Sequence, residues 1–466
     1  MNQLDCMILS QYFLIFTFLV INLGYLGLLF SSIFQLRETI YARFFKLKNI
    51  PINGFESPIS ILVPAFNEST SIILSIYSLL KLNYPNFEII IINDGSTDNT
   101  LEILIKEFDL VKIDEFDQVK IETKKINGFY KSLKNKKIKV IDKENGGKSD
   151  ALNAGINASK FPYFCCVDAD SILEKNSLLK LIEPFLENSK VIAVGGSVRV
   201  ANGCRFENGK IKDISVPKNL LALIQVTEYV HAFLFGRLGW IPLNSLLILS
   251  GAFSLFSKKH VVNVGGYKTN TIGEDMELVV RLHQYMRQNK HHYKISFVTD
   301  SVCWTEVPQT FEMLKKQRIR WQIGLGETLW GHKNMLFNKN FGVIGLFTLP
   351  FLLFVEFLTP IIEFVGYFSF LISYILGIGE KETFYAFLVA SLGLGILASI
   401  SGIFVDELSF QIYKSRKNLL LLCIGGFLEN LGYRQLNSYW RLIGIFRLIF
   451  KRKNEWGTMK HQGIKE

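Results

Sequence analysis

An α/β domain with a mostly parallel sheet, inserted between amino-terminal and carboxyl-terminal transmembrane helices, is the architecture this chain of 466 residues predicts. Three observations point there. Hydrophobic residues make up 49% of the chain and are concentrated towards its two ends, more than a water-soluble globule usually carries. Between residues 51 and 341, short apolar runs alternate with helical patterns and Gly/Asn/Asp turns; strand alternating with helix predicts a parallel sheet covered on both faces. Polar clusters follow the strand endings, which is where ligands bind in such sheets.

The first element is "YFLIFTFLVINLGYLGLLFSSIF", residues 12–34, which carries no charge and exceeds the roughly 20 apolar residues a crossing needs. A cleavable signal peptide fits poorly, because the segment before it lacks a basic start and no small-residue cleavage site follows. Arg37, Arg43, Lys46 and Lys48 come after it, so the positive-inside rule places the amino terminus outside and the next domain in the cytoplasm. Residues 1–50 are therefore a membrane helix and a basic linker.

Strands are expected at 59–66, 87–95, 137–144 and 161–170, and helices at 69–82, 99–108 and 149–158. "KSLKNKKIK", residues 131–139, reads as a solvated loop. Residues 220–240 are apolar but contain Glu228, His231 and Arg237, which predicts an amphipathic helix lying at the membrane interface. "IPLNSLLILSGAFSLF", residues 241–256, is too short to cross and contains Pro242 and Gly251, so it belongs to the core of the 51–341 domain.

A second hydrophobic block covers 342–378, 383–405 and a weaker run at 418–433, within a carboxyl-terminal region of 342–450. Pro350, Pro360, Glu356 and Glu363 make its first part a broken helix or a tight hairpin. "KSRK" at 414–417 and "KRK" at 451–453 put both flanks of the last run in the cytoplasm, so that run is a hairpin or an interfacial helix, followed by a basic tail over 451–466.

The net charge is 52 minus 41, or +11. Nucleic-acid binding is one reading of that excess, but many of the basic residues flank apolar spans and no nucleic-acid fold signature accompanies them, so the membrane is the better partner. Cysteines at 6, 165, 166, 204, 303 and 423 lack metal-ligand spacing and suggest a reducing compartment without a disulfide framework.

Four polar endings carry the chemistry: "PAFNE", "NDGSTD", "ENGGKSD" and "DADS". Asp168 and Asp170 follow the apolar run "FPYFCCV", and side chains two apart on a strand share a face. Two carboxylates held that way want a hard cation such as Mg²⁺ or Mn²⁺, although a lone D-x-D is more often a loop cap. "NGGKS" invites a phosphate-loop reading, but that motif needs a glycine five residues before Gly147 and position 142 is Asp. What survives is a pair of glycines and Lys148 at a helix start, able to offer backbone N–H groups and an ammonium to a diphosphate; an exposed turn with a solvated lysine is the plainer alternative. Asp94 precedes a glycine and also reads as a turn former. No G-x-S-x-G or H-E-x-x-H supports a hydrolase.

"VPAFNE", "NDGSTD", "NGGKSDALN", "DAD", "GED" at 273–275 and "QRIRW" at 317–321 stand in the order in which membrane-embedded family 2 glycosyltransferases carry them. The chain resembles the processive branch, the synthases of poly-N-acetylglucosamine, hyaluronan, chitin and cellulose, over about residues 55–340. The resemblance implies a nucleotide-diphospho-sugar transferase domain of the GT-A type. It implies that Asp94 contacts the nucleotide base, that Ala65 and Glu68 line the uridine pocket, and that Asp168 and Asp170 hold the metal on the donor diphosphate beside Lys148. It assigns Asp275, preceded by Glu274, as general base, since a sugar hydroxyl attacks only as its proton is taken. The family often has Thr where this chain has Gly273, which puts that threonine's contact in doubt. A helix start, where acids are favoured, is the plainer reading of the same pair. Gln317, Arg320 and Trp321 match the family's Q-x-x-R-W pattern near the acceptor and diphosphate, with Gly251 lining the sugar pocket.

The expected function is inverting transfer from a UDP-sugar to a growing β-linked polysaccharide, coupled to export, by a multi-pass protein of the cell membrane with a cytoplasmic catalytic domain. Its partners would be the donor, a glycan or lipid-linked acceptor and membrane lipid, with an accessory subunit left open and no nucleic acid. Single transfer to a lipid carrier, and a membrane transporter with a nucleotide-sensing domain, remain as rivals.

Overall fold

The computed structural model describes residues 3–46, 57–114, 120–207, 209–377 and 381–450. Lys48 and the basic cluster at 451–453 lie outside them. The described chain packs as two compact units, one made of Ala42–Ile214 with Leu246–Val307, the other drawing together the amino-terminal helix to Tyr41, Ser215–Ser245 and residues 308–450. Where the sequence suggested one run from 51 to 341, residues 215–245 and 308–341 thus group with the apolar helices.

The first unit is built on a ten-stranded sheet. Its strands are β1 (Ile59–Ala65), β2 (Phe87–Asp94), β3 (Leu110–Ile113), β4 (Ile126–Ser132), β5 (Ile138–Lys143), β6 (Tyr163–Val167), β7 (Ile172–Leu173) and β8 (Val191–Val200). After a separate hairpin of β9 (Arg205–Glu207) and β10 (Lys210–Asp213) come β11 (Phe253–Ser257) and β12 (Lys294–Thr305). The order is β3-β4-β5-β2-β1-β6-β11-β8-β12-β7. The central four, β5, β2, β1 and β6, are mutually parallel. β1 is apolar apart from Ser60, β2 carries four consecutive isoleucines, and both are buried almost along their whole length, as strands covered on both faces must be.

Helices Ile72–Leu80, Thr100–Phe108 and Lys148–Ala158 fall where the periodicity predicts, the last ending before Ser159 turns extended. Two expectations need correction. The stretch 131–139 is a loop only in its middle: Lys131 and Ser132 end β4, Ile138 and Lys139 begin β5, and Lys131 pairs antiparallel with Lys139. β6 stops at Val167, and Asp168 to Ser171 form a tight turn in which Ser171 N–H donates to Asp168 O at 3.0 Å. Strand alternation therefore does not set the two aspartates.

In the second unit, two helices among the described residues, Gln11–Arg37 and Lys381–Phe410, are long and apolar enough to cross a membrane. The block after 342 is a broken helix, Ile344–Phe357 and Thr359–Ile375 bent by 41° across Leu358, with Pro360 in the first turn after the break. Arg416–Leu428 has 13 residues, too few for one crossing, and the chain breaks at Leu431 and Gly432 before Arg434–Ile449.

Candidate active site

Parallel register brings the strand ends level. Ala65 pairs with Asn93, and Asp94 pairs with Lys143, so the polar endings of β1, β2 and β5 emerge on one edge. The first two loops are stitched together: Asn67 Oδ1 accepts from Thr97 N–H (2.8 Å), and Glu68 N–H donates to Thr100 Oγ1 (3.0 Å). Ala65 is buried, and Glu68 Oε2 accepts from Ser71 Oγ at 2.5 Å.

Asp94 is 3% exposed, and its carboxylate accepts from Lys143 Nζ (2.6 Å), Gly146 N–H (3.0 Å) and Gly147 N–H (2.8 Å). Lys143, also buried, pairs with Asp150 at 2.5 Å. These bonds fix the Asn145–Gly147 turn, and through it the start of the helix that opens with Lys148. Asp94 thus braces a turn at Gly146, 52 residues away in the chain, while the Gly95 that follows it takes φ +66°.

Lys148 Nζ reaches Asp168 Oδ1 at 2.5 Å and stands 4.0 Å from Glu274 Oε1. Burial alone would lower this lysine's pKa, but Asp168 and Glu274 outweigh it and hold the group above its ordinary value, so it stays an ammonium. Asp275 Oδ2 accepts from Gly251 N–H at 3.3 Å, and its Oδ1 from Met276 N–H at 2.8 Å. Gly251 closes the cradle: a Cβ there would lie 3.2 Å from Lys148 Nζ and 3.7 Å from both Asp275 Cβ and Glu274 Oε1. Glu274 and Asp275 also open the Glu274–Gln288 helix, so the helix-start reading holds together with the cradle.

Asp168 and Asp170 offer two hard oxygen donors on one turn. Among the described residues no group of three or more His, Cys, Asp or Glu could hold a metal. A two-carboxylate set suits Mg²⁺ or Mn²⁺, which fill their remaining positions with water and substrate phosphates, and the ammonium already seated on Asp168 shows that the place accepts positive charge.

Gln317, Arg320 and Trp321 lie on the Phe311–Gly331 helix of the other unit. Gln317 is buried with its Oε1 unpartnered among the described residues, while Trp321 is exposed and carries the Arg318 guanidinium 4.4 Å from its ring centre. Sequence reading missed Lys143 and Asn153. Asn153 sits within the quoted "NGGKSDALN", whereas nothing local marks Lys143, whose partner Asp94 is 49 residues away.

Comparison with known proteins gives two family matches, glycosyl transferase family 2 over residues 60–261 and glycosyl transferase family group 2 over residues 163–397. The chain is 32% identical over 311 residues to a poly-beta-1,6-N-acetyl-D-glucosamine synthase of Staphylococcus epidermidis, covering 65% of this chain and 64% of that protein. It is 31% identical over 309 residues to the synthase of the same name from Staphylococcus aureus strain COL, covering 64% of each. The chain thus spans 64% of the length of these curated relatives. A mannosyltransferase of Pyrobaculum calidifontis, solved in complex with GDP-Man and Mn²⁺, superposes with a TM-score of 0.50 at 13% identity, covering 94% of this chain and 100% of that one. At that identity the likeness concerns the fold, which is GT-A-like.

Proposed function

We propose, since this chain belongs to the family 2 glycosyl transferases, that it transfers a sugar with inversion from a UDP-sugar to a growing β-linked polysaccharide at a membrane and passes the polymer on for export. The printed names of the staphylococcal relatives favour N-acetylglucosamine as the sugar. The observation that carries the reading is the cradle around Gly251, where the Lys148 ammonium, the Asp168 carboxylate it pairs with and the Glu274–Asp275 acid pair come together.

In this reading Asp275 takes the acceptor hydroxyl's proton as that oxygen attacks the anomeric carbon, and Glu274 keeps Lys148 in place beside it. Lys148 binds the departing diphosphate, while Glu68, Asp94 and the backbone at Ala65 form the nucleotide end of the site. Asp168 and Asp170 hold Mg²⁺ or Mn²⁺, which when bound neutralises charge building on the leaving group. Gln317, Arg320 and Trp321 serve the acceptor and diphosphate: an indole face packs on a sugar's C–H surface, and an amide with an unpartnered buried oxygen suits a hydroxyl. The protein is multi-pass in the cell membrane with its catalytic unit in the cytoplasm.

The test is incorporation of radiolabelled sugar by membranes containing the protein, offered UDP-N-acetylglucosamine, UDP-glucose or UDP-glucuronate with Mg²⁺, Mn²⁺ or chelator. Metal-dependent product of high molecular weight is expected, reduced at least about 10²-fold in Asp275→Asn. Short lipid-linked product would replace polymer synthesis by single transfer to a carrier. A donor bound but never consumed would favour the transporter.

A further inference from the structure

The loop that delivers the acid pair is held by a side chain with no assigned role. Asn153, 2% exposed, lies on the helix that begins with Lys148. Its Oδ1 accepts from Tyr267 N–H at 2.7 Å and its Nδ2 donates to Tyr267 O at 2.8 Å, a two-point pairing that imitates a sheet bridge. Tyr267 is itself buried, and its hydroxyl lies 3.2 Å from Cys166 Sγ, two residues before Asp168. From the other side, Arg281 of the Glu274–Gln288 helix donates to Gly266 O (2.7 Å) and to Val264 O, and is braced by Glu277 at 2.8 Å. Gly266 has φ +73°, and a Cβ there would sit 2.5 Å from Asn153 Oδ1 and 2.6 Å from Ile121 Cδ1, so only glycine lets the loop approach this closely.

One tyrosine, on the segment leading into Glu274 and Asp275, thus touches the helix of Lys148 and the strand β6 that ends just before Asp168. We propose that Asn153 and Tyr267 are positioning residues that fix the acid pair relative to Lys148 and Asp168, an inference that rests on Asp275 being the base. Misplacement of a reacting group by about 1 Å can cost on the order of 10²-fold in rate, whereas groups that bind the donor from other loops are untouched.

The full-length protein in membranes is compared as wild type, Asn153→Ala, Tyr267→Phe and Asp275→Asn. In Asn153→Ala, kcat is expected to fall about tenfold or more while KM for the UDP-sugar and UDP affinity stay within about twofold. Tyr267→Phe, which loses only the hydroxyl contact, is expected to show a smaller fall of the same kind. Unchanged kcat in both variants overturns the proposal, as does a parallel loss of UDP affinity, which would mean that the pairing merely supports the Lys148 helix. Should Asn153→Ala fail to fold, Tyr267→Phe decides: a fall in kcat at constant UDP affinity supports the strut, and wild-type kcat overturns it. Full activity in Asp275→Asn removes the base assignment and the strut with it, whereas an inactive Asp275→Asn beside an undisturbed Asn153→Ala overturns the strut alone.

Discussion

Lys143 has no exposed surface, yet its ammonium meets Asp94 at 2.6 Å, Asp150 at 2.5 Å and Glu144 O at 2.6 Å. Taking a cation out of water costs several kcal/mol, and only complete pairing of this kind offsets it. Removing the cation leaves two buried carboxylates facing each other under the Asn145–Gly147 turn. Lys143→Met is therefore expected to destabilise the protein by about 3–5 kcal/mol and to weaken UDP binding, read together by thermal unfolding and by UDP titration. A variant as stable as the wild type would show that the turn holds without its cation. Asp94, Lys148, Asp168 and Asp275 stood out in the sequence because each lies within a short local motif. Lys143 was not, because its meaning depends on a strand register that no local pattern encodes.

At the scale of elements, legibility followed apolar continuity. "ISILV" and "EIIII" announce buried parallel strands and occur as β1 and β2. β8, "VIAVGGSVRV", is buried throughout but interrupted by two glycines; a Cβ on Gly196 would lie 2.2 Å from Phe253, so the sheet requires there the residue that weakens the strand signal. β3 at the edge of the sheet and β4 beside it carry charged and polar residues among their apolar ones and are only partly buried, so their strand signal is weak. The Glu274–Gln288 helix carries a consequence of such packing. His283 is fully buried, its Nε2–H donating to Leu246 O (2.9 Å) and its Nδ1 accepting from Tyr293 O–H (2.6 Å), and burial holds its pKa down to about 4. The unfolded chain's histidine, near 6.5, binds a proton first as pH falls, so the contribution is complete above pH 6.5 and declines between 6.5 and 4. By pH 5 the loss is about 2 kcal/mol. Thermal unfolding of the wild type should drop more steeply over that window than that of His283→Gln, and equal slopes would remove histidine as the cause.

For the whole molecule, sequence order misleads, because residues 215–245 and 308–341 lie on either side of catalytic-unit chain yet pack with the apolar helices. Three acids among those helices are matched: Glu363 with Arg434 at 2.6 Å, Glu356 with Tyr25 O–H at 2.6 Å, and Glu228 with Arg318 at 2.6 Å. Unmatched charge is costly away from water, which is why such residues are tolerated inside apolar segments. Basic residues then set the direction of crossing. Arg37 ends the first span, Lys333 and Lys339 precede the bent pair, and Lys414, Arg416 and Lys417 follow Phe410, whereas at the start of the last span a single lysine, Lys381, stands between Glu380 and Glu382. If the bent pair is one span, the positive-inside rule puts three crossings in the chain, with the amino terminus and the link after Ile375 outside and the rest in the cytoplasm. A reporter active only outside should work when fused before Gln3 or after Ile375, and fail after Phe410. Activity at Phe410 but not at Ile375 would make the bent pair re-entrant, leave two crossings, and place the chain after Phe410 outside.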